Sequence, residues 1–74
     1  MSVHEVKSEI AGSVLEVCVR AGDTVAEGDT VVMLDSMKME IPVVAPEGGV
    51  VDAILVEKGM AVTEGQPVAR IRAA

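Results

Sequence analysis

Short apolar runs, separated by glycine and acidic residues, divide the chain into eight segments. Val and Ile dominate these runs, and β-branched side chains suit strands better than helices. No segment shows an apolar stripe with a 3.6-residue period and capping residues, so no helix is expected. The pattern therefore predicts an all-β chain, with strands at 3–8, 13–20, 24–26, 30–35, 40–45, 50–56, 61–63 and 67–72.

The pattern repeats when the chain is shifted by 37 residues, so that Gly12 falls on Gly49. Eight identities fall across residues 11–35 without a gap: Gly12/Gly49, Val14/Val51, Val19/Val56, Gly22/Gly59, Val25/Val62, Glu27/Glu64, Gly28/Gly65 and Val31/Val68. Two similar halves, about 10–36 and 47–73, are expected to supply about four short strands each. Two packed sheets closing over a valine core follow from this arrangement.

The spacing within each half predicts local backbone features. Val14, Val17 and Val19 are spaced three and then two residues apart, which breaks strict alternation and predicts a bulge or bend near Gly12. Glycines at the ends of the short segments are expected to take positive φ angles in turns. They are Gly22, Gly28, Gly59 and Gly65.

Composition limits the functions open to such a chain. Half of its 74 residues are apolar, yet Phe, Tyr and Trp are absent. Without aromatic platforms, and with a net charge of −6, the chain is not expected to bind nucleic acid. No apolar run approaches the roughly 20 residues of a membrane helix, and the N-terminus lacks the pattern of an export signal. We expect one soluble domain, 1–74, in the cytoplasm and away from membranes.

Two residues with reactive side chains have ordinary interpretations. Cys18 is the only cysteine and lies between Val17 and Val19, which indicates a packed or half-buried strand thiol rather than a nucleophile. His4 stands near the N-terminus without a partner in the sequence, so a surface histidine is expected.

The segment Asp35-Ser36-Met37-Lys38-Met39-Glu40 lies between the two halves and joins two apolar runs. Its position predicts a hairpin turn. Apolar side chains at an exposed tip gain nothing unless a partner uses them, and the amine between them is accessible to a modifying enzyme. A solubilising lysine with inward-pointing methionines is the simpler alternative. The flanking carboxylates of Asp35 and Glu40 are expected to keep the turn soluble or to contact a partner, because two carboxylates alone define no metal site.

The triplet Met37-Lys38-Met39, between two halves patterned by glycine, resembles the biotin attachment site of biotinyl domains. These domains are the carrier modules of biotin-dependent carboxylases. The resemblance runs from about Val6 to Ile71, with Asp35 and Ser36 replacing the usual Glu and Ala before the triplet. It implies a flattened β-barrel of two four-stranded antiparallel sheets with pseudo-twofold symmetry. Further matching positions are Gly22-Asp23, Val25, Gly28, Ala45-Pro46, Gly49, Gly59, Val62 and Gly65.

The resemblance also implies a function for the turn. A biotin–protein ligase would join biotin to Lys38 by an amide, with Met37 and Met39 as flanking recognition residues. Contacts with the ligase are expected at Asp35, Ser36 and Glu40. The modified lysine would then carry CO2 between biotin carboxylase and carboxyltransferase sites. The chain would be a free-standing or excised carrier, with no catalytic residue and no metal of its own.

Three alternatives remain open from the sequence. A lipoyl carrier of an oxo-acid dehydrogenase or glycine cleavage complex is the nearest, although lipoyl domains usually carry Asp-Lys-Ala around the modified lysine. An unmodified interaction module of the same fold is the second. The third is an enzyme that forms a Schiff base at Lys38, which would need a desolvated pocket that an exposed turn does not offer.

Overall fold

Eight short strands form in the order that the apolar runs predict. The computed structural model describes residues 3–73, and this range contains no helix that could span a membrane. The strands are β1 (Val3–Lys7), β2 (Gly12–Val17), β3 (Thr24–Val25), β4 (Thr30–Ser36), β5 (Met39–Val44), β6 (Gly49–Ile54), β7 (Ala61–Val62) and β8 (Pro67–Ala73).

The strands form two four-stranded sheets in which every pairing is antiparallel. One sheet has the order β1-β8-β6-β3 and is here named the terminal sheet, because it contains the first and last strands. The other has the order β5-β4-β2-β7 and is named the hairpin sheet, because β4 and β5 form its hairpin. Each half of the chain supplies two strands to each sheet. The predicted all-β, two-sheet fold is confirmed.

A shift of 37 residues superimposes the hydrogen bonds of one half on those of the other. The Gly22 N–H donates to the Val51 carbonyl at 2.8 Å, and the Gly59 N–H donates to the Val14 carbonyl at 2.8 Å. The strand bounds follow the same shift, since β2, β3 and β4 map onto β6, β7 and β8 residue by residue. The two halves therefore share one backbone design, which is the pseudo-twofold symmetry that the resemblance implies.

Bulges also repeat in the two sheets, as the repeated spacing of the apolar residues predicts. The register of β2 against β4 shifts between Val14 and Glu16, and that of β6 against β8 shifts between Val51 and Ala53. The first bulge thus lies at Leu15, three residues beyond the predicted bend at Gly12. The glycine predictions are confirmed, with φ angles of 96°, 88°, 89° and 84° at Gly22, Gly28, Gly59 and Gly65.

Valine forms most of the core between the sheets. In β4, Val31, Val32 and Leu34 are fully buried, and their counterparts Val68, Ala69 and Ile71 in β8 are fully buried too. Burying a side chain of this size contributes about 1.5–3 kcal/mol. Stiff β-branched side chains on facing strands therefore fill the interior without any aromatic residue.

Two predictions about single residues are corrected by the structure. Cys18 is exposed and lies just beyond the end of β2, because the bulge at Leu15 changes which side chains of this segment point inward. Its backbone N–H still donates to the Val31 carbonyl at 2.9 Å. Partial burial and the Glu16 carboxylate raise the pKa of the thiol, which makes it a weak nucleophile at neutral pH. His4 is on the surface as predicted but does have a partner: its Nε2 lies 2.8 Å from Oε1 of Glu47.

Candidate functional site

The hairpin between β4 and β5 closes through a two-residue loop. Ser36 pairs with Met39 across the ladder, which leaves Met37 and Lys38 as the two loop residues. Their φ angles are 51° and 67°, the left-handed values that a type I′ turn requires at both central positions. Gly and Asn usually fill such positions, because Gly has no Cβ and the short polar side chain of Asn can hydrogen-bond locally, whereas other residues are destabilised by roughly 1–2 kcal/mol each. The turn thus holds a lysine in a conformation imposed by the strands on either side.

All side chains at the tip of the hairpin point into solvent. Met37 is 93% exposed and Met39 is 61% exposed, and Lys38 between them is exposed as well. The alternative in which the methionines fill gaps in the core is therefore wrong. Two thioether side chains flank an amine on a surface where burial gives them no stabilisation.

The base of the hairpin rests on β2. A Cβ at Gly12 would lie 2.6 Å from the backbone oxygen of Asp35 and 3.4 Å from the Cβ of Ser36. Only glycine allows β2 to approach the hairpin this closely. Ser36 is buried at this contact, with 8% of its surface exposed, so its side chain faces the protein interior. Gly12 therefore supports the site, whereas the sequence pattern predicted only a bulge or bend near it.

Two carboxylates flank the turn one residue pair behind the tip. Asp35 on β4 pairs with Glu40 on β5, and Glu40 is exposed while Asp35 is half-buried. Over the described range 3–73, no group of three or more His, Cys, Asp or Glu side chains could hold a metal ion. The contacts of Asp35, Ser36 and Glu40 with a ligase stay a prediction.

The surroundings of Lys38 do not resemble an enzyme pocket. A groove of about 110 Å³ runs beside β5, lined by residues that include Lys7, Ile10 and Ile41, and Lys38 is not among them. A lysine that forms a Schiff base needs a desolvated amine, and an exposed hairpin tip leaves the amine in water. The site presents a side chain to other molecules and encloses none.

Comparisons with known proteins agree with this geometry. The biotin/lipoyl family model, described as biotin-requiring enzyme, matches residues 3–71. The chain is 46% identical over 68 residues to the biotinylated protein TB7.3 homolog of Mycobacterium leprae, covering 92% of this chain and 96% of that one. It is 43% identical over 67 residues to the biotin-dependent acyl-coenzyme A carboxylase alpha3 subunit of the same organism. That match covers 90% of this chain and 11% of the subunit.

Solved structures of larger enzymes contain the same fold. A single-chain, multi-domain long-chain acyl-CoA carboxylase superimposes with a TM-score of 0.91 at 28% identity, over 97% of this chain and 7% of that one. The Kluyveromyces lactis urea carboxylase superimposes with a TM-score of 0.92 at 33% identity, over 97% of this chain and 6% of that one. The chain therefore spans only a small part of these enzymes. By sequence and by fold, the chain belongs to the biotin/lipoyl attachment family.

Proposed function

We propose that this domain is a biotin carboxyl carrier and that Lys38 is its attachment residue. The observation that carries the proposal is the exposed Lys38 at a two-residue turn, between two exposed methionines, in a chain of the biotin/lipoyl family. The biotinylated relative of similar length and the acyl-CoA carboxylase subunit support biotin over lipoate.

The chain's own residues fit the attachment of an acyl group. The neutral Nζ of Lys38 attacks the carbonyl carbon of an activated biotin, an acyl-adenylate. A C–N bond forms, the bond from the acyl carbon to the adenylate oxygen breaks, AMP leaves, and the amine loses a proton. No side chain in the described range encloses Lys38, so an enzyme can surround the amine during this step. The amide removes the positive charge of Lys38 and lengthens the side chain.

When bound, biotin supplies a ureido nitrogen that accepts and releases CO2. The protein's contribution is position: the hairpin holds the base of the arm at an exposed tip, from which the arm extends into solvent. A tether of this kind raises the effective concentration of the group at an enzyme site without tight docking.

The partners that we propose are a biotin–protein ligase, which modifies Lys38, and the biotin carboxylase and carboxyltransferase components of a carboxylase. In this scheme the domain is the carrier, and its partners supply the catalysis. We propose the cytoplasm as its compartment, where ATP and bicarbonate are supplied to such enzymes.

Intact mass spectrometry of the chain from a biotin-sufficient host tests the function. We expect one biotin increment on the wild type and none on Lys38→Ala, which should fold normally because an exposed turn side chain contributes little stability. Lys58→Ala is the matched control, since Lys58 is also an exposed lysine in a turn. Biotin retained by Lys38→Ala would move the site elsewhere. A lipoyl increment on the wild type would select the lipoyl carrier, and a bare wild type would select an unmodified interaction module.

A further inference from the structure

The repeated backbone allows each surface position to be compared with an equivalent position in the same molecule. Residues 37 apart occupy the same place in the two sheets, so the fold requires no difference between them. Their charges nevertheless differ in kind. The strands of the hairpin sheet carry three acids and no Lys or Arg, namely Glu16, Asp35 and Glu40. The strands of the terminal sheet carry both signs, namely Glu5, Lys7, Asp52, Arg70 and Arg72.

Apolar residues differ between the two outer faces as well. In β4, Val32 and Leu34 are buried, so the intervening Met33 and the next alternate residue, Asp35, lie on the outer face. Met33 pairs with Glu16 of β2 and with Pro42 of β5, and Leu15 forms the bulge beside it. We name Leu15, Met33 and Pro42 the apolar band, because together they cross three adjacent strands of the hairpin sheet.

The equivalent positions of the terminal sheet are all charged. Asp52, Arg70 and Glu5 stand where the apolar band has Leu15, Met33 and Pro42. Asp52 also forms an ion pair with Arg72, in which Oδ1 of Asp52 lies 2.5 Å from Nη2 of Arg72. Charges of both signs therefore occupy these three positions of the terminal sheet, whereas its exposed apolar residues, Val3 and Val50, lie at other positions. The hairpin sheet instead has an apolar band whose charged neighbours on the same strands are all acids, and Lys7 of β1 lies at the groove beside Pro42.

The same difference continues into the grooves at the two ends. Ile10 and Ile41 line the groove beside β5, near the hairpin. Their equivalents near the other end are Glu47 and His4, whose Oε1 and Nε2 atoms lie 2.8 Å apart. An apolar pair at the end that bears Lys38 is thus replaced by a polar pair at the opposite end.

We propose that the outer face of the hairpin sheet is the docking surface for the enzyme that acylates Lys38. The partner that fits this face has an apolar patch ringed by Lys and Arg, complementary to the apolar band and to Glu16, Asp35 and Glu40. The proposal rests on the proposed function, and it adds the surface and the chemistry of the partner that recognises it.

The length of the lysine side chain favours this partner over the enzymes that use the finished arm. The amine of Lys38 reaches only about 6 Å from its own backbone, so an enzyme that acylates it must touch the hairpin. A specific interface buries about 800 Å² on each partner, which a four-residue tip does not offer. The adjoining surface begins at the Asp35–Glu40 pair and continues to Met33 and Pro42. Enzymes that receive the longer biotinyl arm have no such need for close contact.

Variants that copy the terminal sheet onto the hairpin sheet test the proposal. Met33→Arg and Pro42→Glu introduce the residues that the same backbone already accepts at Arg70 and Glu5, so both are expected to fold. The control is Arg70→Met, which makes the converse exchange on the terminal sheet. The assay is biotinylation by the purified ligase of the host organism with ATP and biotin, at low and at moderate ionic strength.

We expect Met33→Arg to raise KM about tenfold or more with little change in kcat, because the new cation meets the cationic rim of the ligase. Arg70→Met should stay within about twofold of the wild type, and added salt should lower kcat/KM of the wild type. If Met33→Arg does not fold, Glu16→Lys, an exposed position on the same face, is expected to show the same rise in KM.

Unchanged KM in the folded hairpin-sheet variants, or an equal rise in Arg70→Met, would overturn the proposal. A wild type that the ligase does not biotinylate would instead overturn the proposed function. The two failures are therefore distinguishable.

Discussion

Met37 and Lys38 adopt a backbone conformation in the turn that neither residue favours. Both have positive φ, and both side chains are exposed, so packing does not stabilise either of them. Residues that cost stability at an exposed position are retained for another reason. The proposed carrier function supplies such a reason, namely the chemistry of the lysine and its recognition by a partner.

Met37→Asn is expected to raise the free energy of unfolding by about 0.5–1 kcal/mol, because Asn tolerates the left-handed region and the lost methionine is almost fully exposed. Urea denaturation measures the change. Met39→Asn is the control, since Met39 lies in β5 with no positive φ and should gain nothing. A Met37→Asn variant no more stable than the wild type would show that the turn is not strained.

The sequence predicted the tip of this hairpin better than its backbone. The exposed Lys38 and its flanking methionines follow from their place between two apolar runs. The two positive φ angles do not, because the predicted strands stop at 35 and start at 40, whereas the structure pairs Ser36 with Met39. One extra pair converts a four-residue loop into a two-residue one, and apolar spacing does not determine that pair.

Strand β2 illustrates how an element depends on one close approach. At Gly12 it passes so near the Asp35 carbonyl that no Cβ fits without movement of one strand. The same strand carries the bulge at Leu15, which turns Cys18 outward and made the prediction for that residue wrong. A period-of-two pattern predicts that β2 exists, but one inserted residue reverses every side chain beyond it.

Gly12→Ala is expected to lower the free energy of unfolding by about 2 kcal/mol or more, because the backbone of β4 must shift to admit the methyl group. The control is Gly48→Ala, and chemical denaturation measures the free energy of unfolding of both variants. At the exposed Gly48 the nearest neighbouring atom lies at 3.4 Å, so the added methyl group should cost much less. Equal stability of the two variants would contradict the close approach.

At the scale of the whole molecule, the two halves are interleaved. The first half supplies β1 and β3 to the terminal sheet and β2 and β4 to the hairpin sheet. Within that half only β2 and β4 pair with each other, since β1 and β3 have their partners in the second half. The repeat in the sequence predicted two halves, but the exchange of strands between sheets depends on long-range pairings that no local pattern records.

A peptide of residues 1–37 is therefore expected to be unfolded, despite containing four complete strands. One hairpin is at best marginally stable in water, and the core valines of this half would lose the side chains that cover them. Circular dichroism and the dispersion of amide NMR signals measure this, with the intact chain as the control. A dispersed, cooperative spectrum from the peptide alone would mean that each half is an independent unit.

The difference between the two outer faces has a consequence for how such a domain can change. The side chains of the apolar band and its acidic border lie outside the valine core, and the terminal sheet shows that the same backbone accepts charged residues in their place. If the proposed docking surface is correct, partner choice and foldability are carried by separate sets of residues. Evolution or design can redirect the domain to a different modifying enzyme by rewriting one face of one sheet, while the interior that folds it stays as it is.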